Sequence, residues 1–126
     1  MKKIVVLILL LSLSLNLFSC TENEIPTIEY SHSIRLFAGA MGRSTIIGDE
    51  ETVRKITDAV NDMGKTPKGK ENVDGYTFEL TWLDEDGRGI VSIRIYEVDE
   101  IGYGGTIYET DCTRLLDILS AVPMPL

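Results

Sequence analysis

Two alternating runs flanking an acidic turn constrain this chain more than any other feature. In residues 76–83, Tyr76, Phe78, Leu80 and Trp82 share one parity. In 91–95, Val91, Ile93 and Ile95 do the same, with Ser92 and Arg94 on the opposite parity. Side chains alternate between faces along a strand, so each run reads as a strand with one buried face. Asp84-Glu85-Asp86-Gly87-Arg88-Gly89 between them has the residues of a turn, and the whole is an antiparallel hairpin. A sheet with one apolar face needs a cover.

Two helices supply it. Gly48-Asp49 opens the first, over 49–63, with Asp49 as N-cap and Glu50 and Glu51 at the positive end of the dipole. Val53, Ile56, Val60 and Met63 recur at helical spacing, Glu51 and Lys55 pair at i,i+4, and Gly64 is the expected C′ residue. The second helix covers 111–122, with Cys112, Leu115, Leu116, Leu119 and Val122 on one face and Pro123 and Pro125 beyond it. Residues 28–36 alternate as a strand, with Tyr30, His32, Ile34 and Leu36 on one parity, and 44–47 closes a hairpin with it across Gly39-Ala40-Met41-Gly42. Residues 65–74 read as a polar loop, Gly102-Tyr103-Gly104-Gly105 as a flexible one, and 106–109 as a last strand. The order is β-β-α-β-β-β-α. The expected fold is two-layer α+β: an antiparallel sheet of four to five strands with both helices packed on one face.

The N-terminus carries a different signal. Lys2 and Lys3 precede an apolar run over 4–11, and the stretch 4–18 is fifteen residues, shorter than the ~20 of a spanning helix. That is the build of a secretory leader. It closes on Leu17-Phe18-Ser19-Cys20, which resembles the lipobox of bacterial lipoproteins. The resemblance implies a diacylglycerol on the Cys20 thiol, with acyl chains such as palmitate, and then cleavage after Ser19. Phe18 stands where that family usually has a small or β-branched residue. The expected division is a signal peptide at 1–19, lipidated Cys20 with a tether to 27, and one domain over 28–126. Two acyl chains through the thioether give a stable anchor. The expected location is the extracytoplasmic face of the cell membrane, with membrane lipid as the first partner.

A second resemblance covers about 46–119. The helix over 49–63, the segment 75–82 beginning Gly75-Tyr76, the turn at Asp84–Gly87 and Ser92-Ile93-Arg94-Ile95 are similar to small Gram-positive lipoproteins with an uncharacterised α+β domain. That likeness implies a fold and a location, and no catalytic residue.

Charge narrows the partners. The chain has 12 Lys and Arg against 20 Asp and Glu, and loss of the leader takes two lysines and no acid, leaving −10 over 20–126. Such a surface repels a phosphate backbone, so nucleic acid is excluded as an expected partner. An envelope protein or polymer remains.

No constellation specifies chemistry. Cys112 on an apolar helix face reads as a small buried hydrophobe, and His32 as a packed or edge histidine. One histidine and one thiol are too few for the usual zinc site. Aligned as a calcium loop, the 84–87 turn would need ligands at Trp82 and Ile93, and neither is one. Asp99, Glu100 and Asp111 add acids near the glycine loop, and Lys65, Lys68 and Lys70 form a small basic cluster after the first helix. The expectation is therefore a non-catalytic binding or interaction module without catalytic, cofactor-binding or metal residues. Its contact surface would be Glu79, Thr81, Ser92 and Arg94 on the outward face, with Tyr103 from the glycine loop. Glu79 and Arg94 are equally a cross-strand pair. The alternative is a small envelope hydrolase or thiol enzyme using Cys112 and His32, or an acidic pair.

Overall fold

The hairpin is the centre of a larger sheet. The computed structural model describes residues 25–72 and 74–124. The expectations for Lys2, Lys3, Leu17, Ser19 and Cys20 lie outside the described residues.

Among the described residues seven strands and two helices follow one another: β1 (Ser33–Ala38), β2 (Arg43–Ile47), α1 (Glu50–Asp62), β3 (Thr66–Lys70), β4 (Phe78–Leu83), β5 (Gly89–Glu97), β6 (Glu100–Tyr103), β7 (Thr106–Glu109) and α2 (Thr113–Ser120). All pairings are antiparallel and the order across the sheet is β2-β1-β4-β5-β6-β7-β3. The class is α+β, with seven strands where the alternation pattern marks four to five. Among the described residues no helix is long and apolar enough to cross a membrane.

Register explains the core. Leu36, Leu80 and Ile93 lie side by side, and Ala38, Phe78, Ile95, Ile101 and Tyr108 form the neighbouring row. Leu36, Leu80, Ile93, Ile95, Ile101 and Tyr108 of these rows share one buried cluster with Val53, Ile56, Ala59 and Val60 of α1 and Leu115 and Leu119 of α2, and Phe78 packs against it. Leu80 and Trp82 are fully buried. The Trp82 indole N–H donates to Thr57 Oγ1 at 2.9 Å, and the Thr57 hydroxyl donates to the Val53 carbonyl at 2.7 Å. A buried indole needs such a partner, and the helix provides it.

Asp49 caps α1, accepting at Oδ2 from Thr52 N (3.0 Å) and Thr52 Oγ1 (2.6 Å). These bonds hold its carboxyl below the ordinary carboxylate range. The helix does not end on a left-handed glycine. Met63 leaves it in extended conformation, and Gly64 is not among the residues with positive φ. Lys65 Nζ bonds the Met63 carbonyl at 3.1 Å instead, so this cation serves the helix C-terminus.

Two strands lack an alternation signal. Thr66–Lys70 is exposed at every position and contains Pro67 and Gly69, yet it pairs with β7 at the sheet edge around a bulge. Glu100–Tyr103 is a four-residue strand within the glycine stretch, so Tyr103 is a half-buried strand residue packed against the core rather than a loop aromatic. The first strand begins at Ser33, not at residue 28. Ile28 is buried, but Asn61 of α1 ties down its backbone at both N–H (2.9 Å) and carbonyl (2.8 Å), so the strand ladder is unavailable to it. Ile25, expected to lie in the tether, packs against the core as well.

Each strand runs opposite to its neighbour, so β3 and β4 point the same way with β7, β6 and β5 between them. Residues 71–77 must carry the chain back over those three strands. That crossing buries Glu71.

Candidate functional site

On the face opposite the Leu36, Leu80 and Ile93 row, one row reads Phe37, Glu79, Arg94, Gly102, Ile107, Gly69 across six strands. The crossing segment lies over it. Glu71 N donates to the Gly105 carbonyl at 2.8 Å, and Thr77 N donates to the Ile95 carbonyl at 2.7 Å, fastening both ends. Between them the Glu71 side chain is only 1% exposed.

Burying a carboxylate requires compensating partners. Arg94 Nη1 reaches Glu71 Oε2 at 3.2 Å and Oε1 at 3.4 Å, and Tyr96 OH donates to Oε2 at 3.2 Å. Arg94 Nε lies 3.0 Å from Glu79 Oε2, so the guanidinium spans two carboxylates. Burial, with the Glu71 charge and hydrogen bond beside it, pushes the Tyr96 phenol up to about 12. Arg94 also sits 5.9 Å from the centre of the Tyr76 ring, and Tyr76 meets Phe37 and Tyr96 at 6.2 and 6.5 Å. A recess of about 500 Å³ adjoins the cluster, lined by Phe37, Gly39, Ala40, Asp74, Gly75, Tyr76 and Thr77.

The expected contact surface is thus partly occupied by the chain itself. Glu79 and Arg94 face outward and pair across the hairpin, but the crossing segment covers much of both. Thr81 is buried at 4% exposure, its hydroxyl 2.8 Å from that of Ser92. What stays open is the aromatic margin at Phe37 and Tyr76, with the exposed Asp74 carboxylate beside it. Flat aromatic walls next to a carboxylate can hold a ligand by contact and hydrogen bonding. Glu71 and Tyr96, the residues that organise this face, escape sequence reasoning. A polar loop residue gives no sign that its carboxylate is buried.

The other candidates are dispersed. Cys112 is fully buried as the residue before α2, and burial, with Asp111 and Asp99 nearby, pushes its thiol up to about 11. That is the opposite of an activated nucleophile. Its N–H bonds the Val98 carbonyl in the β5–β6 turn, at one end of the sheet. His32 is exposed, not packed, and precedes Ser33, which registers with Leu83 and so with Gly89 at the opposite end. Sequence pairs these two residues; the fold separates them.

Glu97, Asp99 and Glu100 each bring a carboxylate oxygen within 4.8 Å of the others, on the surface. Glu100 is engaged by Lys68 at 2.9 Å. Asp111 instead caps the start of α2, accepting from Thr113 N at 3.0 Å and Oγ1 at 2.6 Å. The acidic turn is an Asp84-centred loop: Asp84 Oδ1 accepts from Asp86 N and Arg88 N, both at 2.9 Å, and Gly87 takes the positive φ of 79°.

No known protein family, no curated protein and no solved structure matches the chain.

Proposed function

We propose that the chain is a lipid-anchored protein on the extracytoplasmic face of a bacterial membrane, displaying its α+β domain as a non-catalytic binding module. The observation that carries this reading is the leader, in which Lys2 and Lys3, a short apolar run and Leu17-Phe18-Ser19-Cys20 occur in that order. The fold adds support, because Ile25 packs against the core. Five residues reach at most ~18 Å, so a lipidated Cys20 would hold the domain against the bilayer. One buried cluster holds both helix stripes, which favours a two-layer arrangement with both helices on one side and the margin at Phe37 and Tyr76 on the other to meet an envelope protein or polymer. The resemblance to small Gram-positive lipoproteins points the same way. The buried, raised Cys112 thiol and its distance from His32 speak against a thiol enzyme.

Metabolic labelling with a tagged fatty acid tests the anchor. Wild type should carry label and Cys20→Ser should not; an unlabelled wild type removes the proposal. Crosslinking on intact cells followed by recovery of the protein tests the module. A discrete partner adduct that is lost on Tyr76→Ala supports it, and recovery of lipid alone overturns it.

A further inference from the structure

The two edges of the sheet are built differently. At the β3 edge, Pro67 lacks an N–H, a bulge interrupts the ladder between Pro67 and Gly69, and Lys65, Lys68 and Lys70 line the segment. These are the usual defences against pairing with another chain. The β2 edge has no proline, no bulge and no lysine. Arg43-Ser44-Thr45-Ile46-Ile47 is regular, contains no proline or glycine, and has no described strand on its outer side. Ile46 is 57% exposed on the outer face. The backbone stays extended at Asp49, with φ −71° and ψ 119°, so pairing can run past the strand's assigned end.

The geometry points to a second copy of this chain as the occupant of the β2 edge, in an antiparallel β2–β2 pairing with Ile46 on the two-fold axis. That register sets Ile46 against Ile46, Thr45 against Ile47, Ser44 against Gly48 and Arg43 against Asp49 of the second copy. The isologous arrangement repeats each contact twice. It joins the exposed isoleucines on one face and opposes a cation to an anion at both ends. Asp49 is available for this because its capping bonds both fall on Oδ2 and the residue is exposed. On the helix side, Thr45 of the second copy would enter a groove of about 360 Å³ bordered by Ile47, Ile118, Val122 and Pro123.

Shifting the axis to Thr45 sets Arg43 against Ile47 and Ile46 against Ser44, losing both the apolar and the charge match. Exposed ion pairs add little affinity, so their role here is to select the register. A ladder this short makes a transient interface, for which covalent trapping is the suitable readout.

The full chain is expressed in bacterial cells with one introduced cysteine at a time, treated with a mild oxidant, and run without reductant beside wild type. Ile46→Cys should give a species of twice the mass, because directly opposed residues meet disulfide geometry. Ser44→Cys should give several-fold less. Arg43→Asp added to Ile46→Cys should cut the yield, since a carboxylate then faces Asp49 in place of the guanidinium. A second route does not depend on position 46: Ser44→Cys co-expressed with Gly48→Cys should crosslink between the two chains. A Cβ on Gly48 meets nothing within 4 Å, so that substitution leaves the fold intact. Equal yields at 44 and 46 with no mixed 44–48 product, no crosslink above wild type, or an adduct to a chain of another mass would each overturn the pairing.

Discussion

Glu71 stands over Gly102 so closely that a Cβ on Gly102 would lie 2.6 Å from its carboxyl carbon and both its oxygens. The glycine is therefore the floor of a carboxylate site, and the crossing segment is seated on the sheet through that contact. Gly102→Ala should unseat Glu71 and cost ~1–3 kcal/mol, the range for forced overpacking. A urea melt reads the loss. Glu71→Ala combined with Gly102→Ala should recover the part due to the clash, and an unchanged midpoint for Gly102→Ala alone would contradict the seating.

Arg94 compensates two carboxylates, one of them almost fully buried. Arg94→Met should cost about 3–5 kcal/mol, because it leaves the Glu71 charge without a counter-charge. Glu71→Gln in the Arg94→Met background should then be much less damaging than Arg94→Met alone. A double-mutant cycle on the two positions measures this, and additivity of the single losses would mean the pair is not coupled.

The hydrogen bond between Trp82 and Thr57 ties the sheet to α1. Thr57→Val keeps the shape and removes the acceptor, which should cost ~1–3 kcal/mol for an orphaned buried donor. Trp82 is the single tryptophan, so its fluorescence reports the change directly.

Leu80 is 0% exposed between Leu36 and Ile93. Leu80→Ala should cost ~2–5 kcal/mol through cavity formation. A wild-type urea midpoint for this variant would mean that the register of β4 is wrong.

Alkaline stability has a defined sign. Cys112 rises from 9.0 to about 11 and Tyr96 from 10.0 to about 12 on folding. Both bind their protons more tightly in the folded state, so their contribution is complete below pH 9 and falls away as pH climbs from about 9 to 12. Melting temperature against pH should be level from neutral pH to 9 and decline beyond it. Tyr96→Phe should flatten the upper part of the decline and Cys112→Ala the lower part. Alkylation of native Cys112 at pH 8 should be far slower than after unfolding; rapid native labelling would place the thiol at the surface.

Much of the framework was legible in the sequence, for a local reason. In β4 and β5, and in both helices, one face meets the core and the other does not, so burial imprints a period of two or 3.6 on the residues themselves. Leu80, Trp82, Ile93, Val53, Ile56 and Leu115 all lie where that period puts them. The Asp49 cap and the Asp84 turn were equally legible, because their hydrogen bonds close within four residues.

Other features depended on the tertiary structure. Thr66–Lys70 has no buried face, so nothing in its residues marks a strand; it is one only because the β7 edge offers it hydrogen bonds. Glu100–Tyr103 carries a glycine at the very position a strand would fill, because a distant carboxylate needs the space. The separation of Cys112 from His32 and the meeting of Glu71 with Arg94 and Tyr96 both follow from strand order. The chain determined its periods and caps through neighbours in sequence. Which loop carboxylate would be buried, and which strand would sit beside which, was decided by contacts between residues more than twenty positions apart, whose energies no local pattern records.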